Sequence, residues 1–374
     1  MINSELLPKT KLLNSLNSTI ARLRMVNQQI HPATLETPQE VVKSMGFIQA
    51  QDYLGSLWAV GLRMKRASQV LIEQALADGS IVRTWPSRNT LGVVAAEDVR
   101  WILELLTPRA MFARKGRYRQ LGLDEEAFKS AARLITEALS GHTPLARSEC
   151  YRVLEAGGVS TEGQRGIHIL SHLALEKLIC FGPREGKQQT FVLLDEWVPE
   201  TIQKSREEAL ADLALRYFSS HGPATVKDFA WWSGLTIGEV KTGLENVKSQ
   251  LAEEHVNNSA YWMPQHDNMP MGEAKPVLLP GFDEYLVGYT DRSAVLAPEL
   301  ARGVNANGGM LNPIIVIGGL VKGTWKRTLK KGAVEIAANW FETPGADDIG
   351  GFEVAAKAYA DFLGLEPTLH GSIV

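Results

Sequence analysis

Between Met45 and Arg63 the chain is crowded with large apolar residues: Phe47, Ile48, Tyr53, Leu54, Leu57, Trp58, Val60 and Leu62. Inside that run stand Gln49-Ala50-Gln51-Asp52, a cluster of carbonyl-bearing polar side chains. A buried amide or carboxylate without a hydrogen bond costs free energy. Nearby backbone can satisfy these groups, and the segment is then structural. Otherwise they are held ready for chemistry. Amide oxygens accept hydrogen bonds and aim a dipole at whatever faces them. Asp52 is the competitor for that role, because a carboxylate is a true base. Its place just before Tyr53 also suits a helix cap, which is the reading adopted here.

The surrounding pattern predicts the elements that must position these residues. An amphipathic helix is expected over 10–26, with Leu12, Leu13, Leu16, Ile20 and Leu23 on one face. Thr37-Pro38-Gln39-Glu40 starts a helix that runs to about Ile48, with a capping threonine, a proline at the first helical position and an acid in the first turn. Helices over 53–63 and 67–78 precede a hairpin over 80–94 that turns at Pro86-Ser87-Arg88-Asn89. Helices followed by a hairpin make a winged helix. After a helical stretch at 97–137 the order returns, with a helix from Thr143-Pro144 to Ala156, a break at Gly157-Gly158, a helix at 163–179 and a hairpin at 180–194. It returns once more as a helix at 201–221, a cap at Thr225, helices at 226–233 and 236–247 around Gly234-Leu235, and a wing at 251–263. From Met269 the chain is strand-rich, and Gly318-Gly319 between apolar runs spells a two-residue hairpin. A strand at 334–341 and a helix at 352–363 follow. The expected class is α+β: three tandem winged-helix (helix-turn-helix) domains, then a mostly β C-terminal domain. The expected boundaries are 1–120, 121–200, 201–268 and 269–374.

At 374 residues, 45% hydrophobic and 22% charged, the composition is that of a globular protein with room for several cores. Cys150 and Cys180 are too few for a disulfide framework and fit a reducing cytoplasm. No apolar run reaches the length of a membrane span, and the N-terminus lacks the basic start and apolar core of a secretory signal. His168 and His172 lie one helical turn apart but lack a third ligand, so a helix-surface pair is expected and no metal site. The net charge of -3 hides an asymmetry. Residues 1–120 hold 16 Lys and Arg against 9 Asp and Glu, whereas 121–374 hold 23 against 33. A basic first third is what a phosphate-facing surface needs, although a solvated face is the commoner fate of a charge cluster.

Four stretches, in order, resemble the AlkZ/YcaQ-type bacterial DNA glycosylases over nearly the whole chain. The first is Gln49-Ala50-Gln51-Asp52 with Leu57-Trp58-Ala59 and Gly61-Leu62-Arg63. The second runs Val82-Arg83-Thr84-Trp85-Pro86-Ser87-Arg88-Asn89-Thr90-Leu91. The others are Leu279-Pro280-Gly281-Phe282-Asp283 with Arg292, and Gly318-Gly319 with Gly323-Thr324-Trp325-Lys326-Arg327. That family's catalytic motif is Gln, a residue usually apolar, then Gln or Asp. The resemblance therefore implies Gln49 and Gln51 as catalytic residues of a Gln-x-Gln branch. It implies a monofunctional glycosylase that hydrolyses the N-glycosidic bond of cationic N-alkylated purines: N7-alkylguanine, N3-alkyladenine, bulky adducts or interstrand crosslinks. Alkylation lets the base leave neutral, so a strong general acid is unnecessary. No lysine adjoins the motif, since Lys43 and Lys65 lie helices away, and hydrolysis is expected rather than a Schiff base. The partner is double-stranded DNA, with no membrane, metal or cofactor, for a monomer in the cytoplasm at the nucleoid. The family's usual Arg-Gly-Thr at the hairpin reads Arg88-Asn89-Thr90 here.

Candidate DNA contacts are Arg83 and Arg88 on the first hairpin and Arg184 and Lys187 on the second. Arg114, Lys115, Arg117 and Arg119 join them from an acid-free run that begins at Arg109. The structural alternative for each is a carboxylate pair or a solvated face. Trp58, Trp85 and Trp231-Trp232 are expected to pack. Asp283 and Arg292 are expected to pair with each other or with the first domain. A transcription regulator that only binds DNA is the competing function, but it leaves the polar cluster unexplained.

Overall fold

The computed structural model describes residues 9–88, 90–256, 259–265, 275–306 and 309–373. It is a mixed α and β structure. A long helix, Lys9–Asn27 (α1), precedes a unit made of Pro38–Met45 (α2), Ile48–Gln49 (β1), Tyr53–Gly61 (α3), Gln69–Ala77 (α4), Ile81–Ser87 (β2) and Thr90–Ala95 (β3). Its sheet runs in the order β1-β3-β2, all antiparallel. Val99–Gln120 (α5) leads to Glu125–Leu139 (α6), Leu145–Ala146 (β4), Arg147–Ala156 (α7), Arg165–Leu175 (α8), Ile179–Phe181 (β5) and Thr190–Leu193 (β6). This sheet has the matching order β4-β6-β5. After Leu194–Trp197 (α9), the arrangement recurs in Arg206–His221 (α10), Val226–Ser233 (α11), Ile237–Val247 (α12), Leu251–Val256 (β7) and Ser259–Pro264 (β8). Here a single bridge from Ala224 to Trp262 stands where the first short strand would be.

The remainder holds Val277–Leu279 (β9), Glu284–Val287 (α13), Ala301–Val304 (α14), Ile314–Ile317 (β10), Leu320–Lys330 (β11), Ala333–Trp340 (β12), Ala346–Leu363 (α15) and Glu366–Ile373 (β13). The strands form one five-stranded sheet in the order β13-β12-β11-β10-β9. Only β12 and β13 are parallel, with α15 as their crossover. Gly318 and Gly319 turn the β10–β11 hairpin with φ of +58° and +86°, the left-handed pair that a two-residue turn demands.

Several boundaries differ from the sequence expectation. The helix from Pro38 carries the full capping box of Thr37 and Glu40, but it ends at Met45, because Gly46 takes φ +80° against Leu213 and Trp232. Three residues later the chain is a strand. The stretch 97–137 is two helices: Gly122 turns at φ +61° and Asp124 caps α6 through the Ala127 N–H at 2.8 Å. Thr143-Pro144 does not start a helix. Leu145 and Ala146 pair with β6 first, and Glu149 caps α7 from its third position through the Ala146 N–H. In the first hairpin β2 continues through Pro86 to Ser87, so the turn is Arg88-Asn89, and Asn89 lies outside the described residues. The expected boundary at 268–269 also falls outside them.

The apolar cores tie these parts together. One core runs from Ile48, Leu57 and Trp58 to Trp325 of the C-terminal sheet and to Tyr359 and Phe362 of α15. A second joins Phe47, Val82 and Trp101 to Tyr217, Phe229 and Trp232 of the third unit. A third joins Trp85 to Phe181 and Phe191 of the second. Phe47 and Ile48 are neighbours in sequence yet serve different cores, which is the two-residue alternation of an extended strand.

Candidate active site

Gln49 is carried on β1, the edge strand of the first sheet, opposite Gly92. The Ala50 N–H donates to the Leu91 carbonyl at 2.7 Å, and the Ala50 carbonyl accepts from Arg83 Nη2 at 2.9 Å. The Gln49 N–H donates to Glu284 Oε1 at 2.7 Å. The backbone of the motif is thus pinned from three sides. The Gln49 carboxamide, by contrast, makes no hydrogen bond to any described residue. Gln51 is exposed, and among the described residues its Oε1 meets only the Leu91 N–H, at 3.4 Å.

Asp52 corrects one expectation. It occupies the cap position of α3 with extended backbone, but its carboxylate makes no cap bond. Oδ2 accepts instead from Arg327 Nη2 at 2.8 Å, a charge-assisted bond that outcompetes a lone N–H. Asp283 does not pair with Arg292. It forms a two-pronged, fully buried bridge to Arg63 at 2.8 and 2.9 Å, while Arg292 donates to the Leu286 carbonyl. Because Arg63 follows α3 and Asp283 precedes α13, this pair fastens the motif-bearing unit to the C-terminal part.

The candidate DNA contacts fall into two groups. Arg83 is buried; it also donates to Gln189 Oε1 at 3.0 Å and lies over Phe181, with its centre 4.7 Å from that ring. Burial pushes its pKa down to about 10, so it stays charged at neutral pH. Arg114 is also turned inward, with Nη1 on Ser171 Oγ at 2.7 Å, and does not lie on the exposed face of α5. Lys115, Arg117 and Arg119 are exposed, and Arg117 reaches Gln120 and Gln164. Arg88 sits at the tip of the first hairpin with φ +46°, over the exposed face of Trp231 at 4.9 Å. Burial lowers its pKa, and the charge of Glu284 opposes that shift. Ser87 stitches the same tip to α11 through the Ser233 carbonyl at 2.7 Å. Arg184 lies over Tyr53 at 4.2 Å and donates to the Lys187 carbonyl, while Lys187 is exposed.

A cleft of ≈ 590 Å³ opens between the first hairpin and the second unit, and it reaches Arg83 and Leu91, the hydrogen-bond partners of Ala50. Arg83, Arg147 and Lys187 line it along with Leu91 and Trp85, and no acidic residue does. Among the tryptophans, Trp58, Trp85 and Trp232 are packed as expected, and Trp231 is half exposed. His172 is no surface residue: it is buried against Phe128 with ring centroids 3.7 Å apart. No group of three or more His, Cys, Asp and Glu that could hold a metal occurs among the described residues. No described helix is long and apolar enough to cross a membrane. Sequence reasoning missed Glu284, Arg327 as the partner of Asp52, and Gln189. The one available signal was an acid at 284 inside the apolar run Phe282 to Val287.

An acid-free cleft lined by Arg83, Arg147 and Lys187 suits an anionic ligand, and the strand whose Ala50 carbonyl Arg83 bonds carries a carboxamide with no partner among the described residues. The chain is similar in fold to a solved Streptomyces sahachiroi DNA glycosylase, AlkZ, with a TM-score of 0.79, at 23% identity, covering 96% of this chain and 99% of that one. It is also similar to an interstrand DNA cross-link repair glycosylase of Streptomyces sahachiroi, 26% identical over 318 residues, 81% of this chain and 85% of the relative. Residues 42–362 match the family described as DNA glycosylase AlkZ-like, and the chain belongs to that family. It is therefore a DNA glycosylase, a DNA repair enzyme that hydrolyses N-glycosyl bonds, and the regulator reading falls.

Proposed function

We propose that this glycosylase excises cationic N-alkylated purines, N7-alkylguanine first among them, by hydrolysis in which Gln49 and Gln51 position the water and stabilise the sugar cation. The observation that carries the reading is the contrast within the motif. Its backbone is pinned, while the Gln49 carboxamide has no partner among the described residues and the Gln51 oxygen has one long contact. Both oxygens are available as acceptors. Neither is a base, which suits a substrate whose leaving group departs neutral. Asp52 is engaged by Arg327 and is assigned no proton transfer.

The three helix–helix–hairpin units are read as winged helices that together hold the duplex, with the first carrying the motif. Phosphate contacts are assigned to Lys115, Arg117, Arg119 and Lys187, and to Arg88 at the hairpin tip. Arg83 and Arg184 support the motif from within. N3-alkyladenine carries the same positive charge on the base, as do bulky adducts and cross-links joined through N7 or N3 of a purine, so the same chemistry covers them. The chain is assigned as a monomer on DNA.

The test is an oligonucleotide duplex with a single N7-methylguanine, read after alkaline cleavage of the abasic product. Wild type should yield product, and Gln51→Ala should lower turnover on the order of 10²-fold with binding near normal. Equal loss of turnover and binding sinks the role of Gln51. Binding without product in wild type sinks the substrate assignment.

A further inference from the structure

We propose that Glu284 is the positioning residue for Gln49, acting from the C-terminal part of the chain on the backbone of the catalytic strand. The proposal rests on Gln49 being catalytic. Strand β1 is an edge, and pairing alternates along it. Ala50 donates inward to Leu91, so the N–H of Gln49 points away from the sheet. On an exposed edge water would satisfy that donor. Here Gln49 is buried, and a buried N–H without a partner is costly. Glu284 Oε1 takes the place of the carbonyl that a further strand would supply, at 2.7 Å.

The other carboxylate oxygen accepts from the Trp232 indole N–H at 2.9 Å and lies 3.5 Å from His221 Nε2. Trp232 in turn stacks on Phe47, with centroids 4.0 Å apart and planes within 12°. One carboxylate therefore grips the peptide of Gln49 directly and, through Trp232, the ring two residues before it. Glu284 is wholly buried, and no lysine or arginine is paired with it among the described residues. Joining the two parts of the chain is already done by its neighbour Asp283 through Arg63. What Glu284 adds is a charge-assisted bond that fixes one peptide. The free carboxamide of Gln49 then starts every turnover from one place, and a misplacement of about 1 Å costs on the order of 10²-fold in rate.

The experiment is Glu284→Gln in the full chain. A carboxamide keeps the size but can offer its oxygen to only one of the two donors, and its NH2 faces the other. Three quantities are measured: single-turnover excision of N7-methylguanine at saturating enzyme, Kd for the matching unmodified duplex, and amide hydrogen exchange of the segment 47–53. The expected result is a rate about 10- to 100-fold lower, Kd within about 2-fold, and faster exchange confined to that segment. Trp232→Phe, which keeps an aromatic ring at the position but removes the indole N–H and so frees one oxygen, should lower the same rate by about 3- to 10-fold, the scale of one hydrogen bond. A wild-type rate in Glu284→Gln, or Kd weakened in proportion to rate, overturns the proposal. Should Glu284→Gln fail to fold, Trp232→Phe decides, and unchanged rate with unchanged exchange overturns it. Failure of wild type to excise this lesion would count against the proposed substrate alone. The exchange measurement still reads the grip on Gln49: a local rise supports it and no change refutes it.

Discussion

Arg63→Ala isolates the joint between the motif-bearing unit and the C-terminal sheet. The guanidinium donates to both oxygens of Asp283 at 2.8 and 2.9 Å, to Gln28 Oε1 at 2.8 Å and to the Ala59 carbonyl at 2.7 Å, with both charged side chains almost fully buried. Without it, the Asp283 carboxylate keeps, among the described residues, only the Tyr285 N–H at 2.9 Å. Breaking a buried pair from one side costs about 3–5 kcal/mol, because the remaining charge is stranded. Against a total stability of about 5–15 kcal/mol this is a large loss. With a urea dependence of about 3 kcal/mol per molar, the midpoint falls by about 1–2 M. Tryptophan fluorescence follows it well, since the indoles of Trp58 and Trp325 donate to the carbonyls of Leu278 and Leu279 at this joint, at 2.7 and 2.9 Å. Arg63→Lys should fall between, because an ammonium cannot fork onto a carboxylate. The double variant Arg63→Met with Asp283→Leu removes both charges and should be more stable than Arg63→Ala. The reasoning fails if Arg63→Ala shifts the midpoint by less than about 0.3 M, or if the double variant is the less stable of the two.

Arg83→Met keeps the apolar stem but strips the donors from the Ala50 carbonyl and Gln189; it should destabilise by about 1–3 kcal/mol and slow excision more than it weakens binding. Weaker binding with a shallower salt dependence and an unchanged rate would make Arg83 a phosphate ligand instead. Lys115→Ala with Arg119→Ala should flatten the slope of log K against log salt by about 2, whereas Arg114→Gln should leave it unchanged. Burial raises the Cys150 pKa to about 12 and raises that of Cys180 still further, so neither thiol should react with iodoacetamide at pH 8 until urea is added. Labelling of the native protein would contradict their placement.

Local chemistry in the chain was enough for several caps and turns, and it drew attention to the two glutamines. Thr37 and Glu40 build the cap they spell, and Gly318-Gly319 turns the hairpin, because each depends on atoms a few residues apart. Gln49 and Gln51 stood out as polar groups in an apolar run. The basic run on α5 was misread in part. Its residues are spaced around the helix, so Arg114 and Tyr118, one turn apart, face the core while Lys115 and Arg119 face out. Periodicity carried that information, and a count of charges did not. A strand of two residues has no period to read, and so β1 stayed hidden until it paired with β3. The partners that set the site lie 220 to 275 positions away: Asp283 for Arg63, Glu284 for Gln49 and Arg327 for Asp52. Which carboxylate meets which donor follows from how three shared cores pack, and no local propensity encodes it.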